Sequence, residues 1–270
     1  MRGQHILSRL RPQIAVLFEQ NARFSSSAEA KPITWVFLGP PGVGKGTYST
    51  RVADKFGFRH IATGDLVREE IKKGSDLGKQ MAEIVNSGHL LPDKMILRAL
   101  NDQFHSASAS GVNKFLLDGF PRSVPQAAAL EEIADVQLAL NLDLREEVLV
   151  EKCMGRRLCS KCGKNYNIAD INLAAGNGRP AIIMPPLSPP AECAQHMEQR
   201  SDDTEETILR RLEVYNSGAK PVEDFYRTRG TLVDFEITAG IPETLPGLLE
   251  LLGHHLPSQQ SGSSQKAAAA

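Results

Sequence analysis

Gly39-Pro40-Pro41-Gly42-Val43-Gly44-Lys45-Gly46-Thr47 is the stretch on which the fold turns. It follows Ile33-Thr34-Trp35-Val36-Phe37-Leu38, an unbroken apolar run with β-branched and aromatic residues that reads as a buried parallel strand. A helix is predicted to follow from about 44 to 55. Strand, glycine-rich turn and helix in that order form a cradle for phosphate. Glycines let successive backbone N–H groups converge without Cβ clash, the helix N-terminus adds positive potential, and Lys45 reaches the outer phosphates. The general pattern is G-x-x-x-x-G-K-[ST]; here Gly46 intervenes, so the hydroxyl is Thr47, one position late. Six fixed residue types at about 6% usage recur by chance on the order of 10⁻⁵ times in a chain of this length, which disfavours a plain glycine turn.

Working outward from the loop, strand and helix patterns alternate. An edge strand is predicted at 58–61, helices near 65–73, 76–86 and 93–105, a buried strand at 115–118 and another at 136–142. A helix over 145–157, a long helix from about 204 to 218 and on towards 228, a strand at 231–237 and a helix at 242–252 complete the series. Such alternation predicts an α/β fold: a phosphate-loop parallel sheet with helices on both faces and ligands at the C-terminal strand edge. Between about 158 and 200 the alternation stops, and five of the 16 prolines fall in 180–190, so an irregular inserted subdomain is expected there.

Composition bounds the rest. With 270 residues, 41% hydrophobic and 23% charged, the chain has ordinary globular usage. A net charge of −1 gives no global basic field, so no nucleic-acid partner is expected. No run approaches the roughly 18 apolar residues of a membrane span, so no membrane partner is expected either. Four cysteines are too few for a disulfide scaffold. No heptads appear, and a monomer is the expectation. Residues 1–28 carry Arg2, Arg9, Arg11 and Arg23 against Glu19, with Leu7, Leu10, Ile14, Leu17 and Phe18 at helical spacing and a serine run after Phe24. That is the pattern of an organelle transit peptide, with the mitochondrion preferred and the chloroplast as the alternative. Residues 257–270 are a low-complexity tail expected to be disordered.

Two further constellations carry chemistry. In Phe115-Leu116-Leu117-Asp118-Gly119-Phe120-Pro121-Arg122, an acid closes a predicted strand, where Mg²⁺ shells are organised beside a phosphate loop, and Arg122 adds a bidentate phosphate donor. Around the insertion lie Arg156 and Arg157, then Arg200 with Asp202 and Asp203, then Arg210 and Arg211. Glu206 and Arg210 are expected to form a solvated i,i+4 pair, whereas Arg156, Arg200 and Arg211 suit convergence on a transferring phosphoryl group.

Taken with Thr63-Gly64-Asp65-Leu66-Val67-Arg68 and the Gln126 that follows Arg122, these motifs occur in the order found in the adenylate kinase family, which the chain resembles over about 33–252. It looks most like plant organellar members with a long lid. The resemblance implies Mg·ATP + AMP ⇌ 2 ADP, with 29–157 and 201–256 forming the core, a monophosphate-binding segment at about 62–91 and a lid at 158–200. It implies that Gly42, Val43, Gly44, Lys45, Gly46 and Thr47 hold the donor phosphates. Asn165, Tyr166 and Ile241 would line the donor nucleoside. The AMP site would use Thr63, Arg68, His89, Leu90, Leu91, Gly119, Phe120, Pro121, Arg122 and Gln126. Arg156, Arg200 and Arg211 would close over both phosphates, joining Lys45 and Arg122 as the catalytic set. The alternative is a kinase with another donor, such as a GTP:AMP phosphotransferase. A nucleotide-binding protein without turnover would not need every phosphate-facing cation.

Many family members have an arginine where this chain has Lys152, and lysine keeps the charge while losing planar stacking on the donor base. Cys159-x₂-Cys162 and Cys193-x₂-His196 make a Cys₃His zinc site arithmetically available, as in members with a metal in the lid. The 30 residues between the half-sites are about double the spacing of compact zinc ribbons, so packing cysteines are the preferred reading over lid zinc. Cys153 reads as a small buried hydrophobe. His60, His89 and His105 show no partner spacing.

Overall fold

A computed structural model describes residues 31–256 except 75, 88, 90 and 177; the leader expected at 1–28 and the tail at 257–270 lie outside the described residues. In chain order the core begins with β1 (Ile33–Leu38), α1 (Lys45–Phe56), β2 (Arg59–Ala62), α2 (Thr63–Lys73), α3 (Asp76–Asn86) and α4 (Asp93–Ser108). It continues through β3 (Lys114–Asp118), α5 (Val124–Ile133), β4 (Asp135–Asp143) and α6 (Glu146–Met154). The insertion contributes β5 (Arg156–Cys159), β6 (Asn165–Asn167), β7 (Ile171–Leu173), β8 (Ile182–Met184), α7 (Ala191–Ala194) and β9 (Met197–Glu198). The chain then returns through α8 (Glu205–Arg227), β10 (Leu232–Glu236) and α9 (Ile241–Gly253).

The central sheet is five-stranded and parallel, in the order β10-β4-β1-β3-β2. The apolar run of β1 is unbroken because both of its faces are covered. Trp35 and Phe37 enter one core cluster with Val52, Leu138, Leu140 and Leu248, while Val36 and Leu38 enter the other with Leu100, Phe104, Leu130 and Tyr226. Because β1 lies between β3 and β4, its C-terminal end opens onto the edge of the sheet where Asp118 closes β3. A third cluster, Val67, Met81 and Leu91, holds α2 and α3 together outside that edge. Among the described residues no helix is long and apolar enough to cross a membrane.

Two expectations fail in the insertion. The helix predicted over 145–157 stops at Met154, and Arg156 and Arg157 lie on a strand instead. The cause is Gly155: a Cβ there would stand 2.6 Å from Asn167 Oδ1 and 2.8 Å from the Ala169 backbone, so the chain packs its bare backbone against the returning segment and turns into β5. The insertion is also not irregular. β5 pairs antiparallel with β6 and β9, and β7 pairs with β8 as a separate hairpin. Strands of two to four residues are too short for a period-two pattern to register. Ile171, Ile182 and Met184 of the hairpin are at most 4% exposed and belong to the same cluster as Trp35. Burial of each such side chain contributes about 1.5–3 kcal/mol.

The long helix runs to Arg227 through Pro221, with Thr204 Oγ1 accepting from the Thr207 N–H at 3.3 Å as its N-cap. On its exposed face Arg210 pairs with Glu213 at 2.8 Å rather than with Glu206.

Candidate active site

The phosphate loop is shaped by backbone that only glycine tolerates. Gly42 has φ +86°, and a Cβ there would lie 2.6 Å from the Leu149 carbonyl oxygen and 2.8 Å from Cys153 Sγ. The buried Cys153 thus forms the loop's floor, as a small apolar side chain, and its burial raises its pKa. Gly44, also left-handed, caps α1, so the first N–H groups of that helix face the cleft. Lys45 Nζ donates to the carbonyls of Gly39 at 2.7 Å and Pro40 at 3.0 Å. Burial lowers its pKa to about 8, against the opposing attraction of Asp118.

The loop lines a cleft of about 990 Å³ whose wall is strongly cationic, with Arg68, Arg122, Arg156, Arg200 and Arg211 all lining it beside Gly42 to Thr47. The structure therefore brings together the whole catalytic set expected from the sequence. Buried acids hold two of these arginines. Arg156 forms a two-pronged pair with Asp203, which is 1% exposed, and Arg211 pairs with Asp202, which is 6% exposed. Burial works against the charge of Arg156, but Asp203 outweighs it and its pKa rises. Asp202 is pulled below the ordinary carboxylate range because Arg211 outweighs the cost of burial. Arg200 differs: it donates to Asn165 Oδ1 at 3.1 Å, its Nε is buried without a partner, and burial lowers its pKa to about 10.

The other predicted residues divide. Asn165, Tyr166 and Ile241 line the cleft, as do Gly119 and Pro121. Thr63 is buried and donates through Oγ1 to the Asp118 carbonyl at 3.0 Å, and Arg122 Nε donates to the Gly119 carbonyl at 2.7 Å, so these residues form one cluster at the end of β3. Gln126 is 3% exposed: its Oε1 accepts from the Arg122 N–H at 2.7 Å and its Nε2 donates to Asp93 Oδ1 at 2.7 Å. It braces the Arg122 backbone and does not line the cleft. Phe120 is in the core, and Leu91 is buried in the α2–α3 cluster. His89 is exposed with Nδ1 3.0 Å from Ser87 Oγ, and Leu90 lies outside the described residues. His60 has the partners its spacing did not reveal. Its Nε2 is 2.9 Å from Ser49 Oγ and 4.0 Å from Asp118 Oδ2, brought there by β2–β3 pairing beside α1.

Beyond Tyr166 the sulfurs of Cys159, Cys162 and Cys193 lie within 4.8 Å of one another, with Cys162 and Cys193 3.6 Å apart. His196, the fourth ligand suggested by spacing, is not part of the cluster. Zn–S bonds of about 2.3 Å in a tetrahedron place sulfurs about 3.8 Å apart, so the three thiols fit such an ion. Burial, and then the Cys162 and Cys193 sulfurs, push the Tyr166 hydroxyl up to about 12.

A cradle for one nucleotide's phosphates, sharing its cleft with arginines and with the Asp118–Arg122 turn at the end of β3, places the chain among the nucleoside monophosphate kinases, phosphate-loop enzymes that move a phosphoryl group between nucleotides. Residues 37–231 match the family model for adenylate kinase. The chain is 52% identical over 228 residues to an adenylate kinase of Solanum tuberosum, spanning 84% of this chain and 79% of that protein. It is 50% identical over 220 residues to adenylate kinase 1, chloroplastic, of Arabidopsis thaliana, with 82% and 78% covered. It is also 37% identical over 206 residues to an adenylate kinase of Methanothrix thermoacetophila, with 74% and 88% covered. The chain belongs to the adenylate kinase family.

Proposed function

We propose that the chain transfers the terminal phosphoryl group of Mg·ATP directly to AMP, giving two ADP, and that its residues divide between the two nucleotides. On the donor side, the N–H groups from Gly42 to Thr47 hold the β- and γ-phosphates. Lys45 leaves the Gly39 and Pro40 carbonyls to follow the transferred group, and Asn165, Tyr166 and Ile241 line the nucleoside. On the acceptor side, Thr63, Arg68, the 89–91 backbone and the turn from Gly119 to Arg122 receive AMP. Gln126 reaches the adenine, giving up its bond to Asp93. Arg156, Arg200 and Arg211 converge on the charge that develops between the two phosphates, with Mg²⁺ arriving on ATP and Asp118 positioned to organise its waters. No side chain acts as a nucleophile. Positioning and electrostatic stabilisation in a site closed to water carry the reaction, and closure of a lid drawn from within 158–200 suppresses hydrolysis.

The observation that carries this reading is the convergence of five cations and the phosphate loop on one cleft, two of the cations being held in place by buried aspartates. Steady-state kinetics of two variants tests the division. Arg68→Ala should raise KM for AMP at least tenfold and leave KM for ATP within twofold, and Asn165→Ala should do the reverse in smaller measure. A rise confined to ATP in Arg68→Ala contradicts the assignment.

Two finer readings follow. The relatives named as chloroplastic favour the plastid over the mitochondrion as the destination of this organellar enzyme. The thiol cluster favours a structural zinc, which Cys159, Cys162 and Cys193 would hold, tying β5 to the segment before β9. One zinc per chain by mass spectrometry supports that reading, and a metal-free folded protein returns the thiols to packing.

A further inference from the structure

The insertion carries two arginine contacts that phosphate chemistry does not use. Arg179, between β7 and β8, donates from Nη2 to Asp143 Oδ2 at 2.9 Å and to Glu236 Oε1 at 2.6 Å, and from Nε to Glu236 Oε1 at 3.0 Å. Asp143 and Glu236 end the neighbouring strands β4 and β10 at the same register, where two carboxylates side by side repel and one guanidinium relieves both. The same β7–β8 connection is held by Arg145, 5% exposed and placed just before α6, which donates from Nη1 to the carbonyls of Ala174 at 3.1 Å and Pro180 at 3.3 Å. Ile171, Ile182 and Met184 are part of the main core cluster, and Ile183 makes a parallel bridge to Ala239.

These partners all belong to the central sheet, to the start of α6 or to the turn before α9. The other part of the insertion is built differently: β5 pairs with β6 on one side and β9 on the other, the thiols gather beside them, and its join to the core is at α6, where Asn167 Nδ2 donates to the Lys152 carbonyl at 2.7 Å. The two parts are joined by 168–170 and by 185–190, which holds four prolines and is therefore semi-rigid. Met184, Pro185 and Pro186 line the cleft beside Ala239, Gly240 and Ile241.

We propose that the β7–β8 hairpin is a fixed wall of the donor-base pocket, pinned to the core by Arg145 and Arg179 as positioning residues, and that only the β5–β6–β9 unit moves over the phosphates. The pocket for the donor base then stands ready before closure, and ATP docks on a preformed surface. This inference rests on the donor-side assignment proposed above.

Hydrogen exchange by mass spectrometry on the full chain tests it, with and without a bisubstrate analogue in which two adenosines are joined by five phosphates. The expected result is that amides of 156–167 and 193–200 exchange at least tenfold more slowly with the analogue. Those of 171–173 and 182–184 should be protected already and change less than twofold. Hairpin amides that gain protection in step with β5 and β6 would overturn the inference while leaving the donor site standing. No change anywhere, the 42–47 loop included, would overturn the donor-site reading and this inference with it. Arg179→Ala supplies the second readout: faster exchange confined to the hairpin, KM for ATP raised about fivefold, KM for AMP and kcat unchanged, and recovery in Arg179→Lys. Unchanged KM for ATP together with unchanged hairpin exchange would contradict the positioning role.

Discussion

The phosphate loop and the insertion face each other across one cleft, yet different forces shape them. The loop is held by covalent geometry and apolar packing: left-handed glycines, a helix start, and the buried thiol of Cys153 beneath Gly42. The cationic wall is held by charge, with Arg156 on Asp203 and Arg211 on Asp202, and by a cluster of three thiols, of which Cys162 and Cys193 act on Tyr166, a side chain that also lines the nucleotide cleft. The first kind of support works before any substrate arrives and is insensitive to salt and acid. The second gives cations a defined direction while leaving them able to turn towards phosphate. A phosphoryl transferase needs both, a rigid cradle for the donor and a charged cover that responds to it.

The largest expected effect breaks the loop side. Lys45→Met should lower kcat by about 10²–10³, the scale of losing one well-placed transition-state donor, while circular dichroism shows the fold intact. Turnover near wild type in that folded variant contradicts the assignment. Next comes the cationic wall. Asp203→Ala removes the buried partner of the partly buried Arg156 and should cost about 3 kcal/mol in urea unfolding, together with most of the activity. Unchanged stability would mean that the pair is relaxed in solution.

Two pH experiments separate the sides more finely. With Lys45 at about 8 in the free enzyme, kcat/KM for ATP should fall above pH 8. The decline in kcat should come at higher pH, because bound phosphate favours the charged ammonium. Parallel profiles would place the titrating group elsewhere. Asp202 has a depressed folded pKa, so its contribution to stability is complete above the ordinary carboxylate value of about 4 and is lost as pH falls through the lower folded value. Acid unfolding of Asp202→Asn should lack that component. The smallest effect is a control: Arg210→Ala breaks an exposed pair with Glu213 and should change stability by about 0.5 kcal/mol or less.

The same contrast explains what was legible in the sequence. The loop and the sheet could be read because strand, glycine turn and helix are contiguous, and because β1 buried on both faces must be apolar throughout. The insertion could not, since strands of two to four residues leave no periodic trace and Gly155 ends α6 through a contact with residues twelve and fourteen positions on. The arginines were legible as a cluster because their chemistry is unusual there, but the brace that Gln126 makes between Arg122 and Asp93 depends on α4 meeting α5, which no spacing announces. His60 shows the same limit, since it meets Asp118 only through strand pairing. His196 fits a ligand spacing, yet it does not join the thiols.

The most direct test of the central claim is the initial rate of phosphoryl transfer by the purified protein with Mg·ATP or Mg·GTP against AMP, GMP, CMP and UMP. ADP should form with ATP and AMP at a rate well above every other combination. Folded protein that binds ATP and transfers nothing, or that turns over with GTP alone, would contradict it.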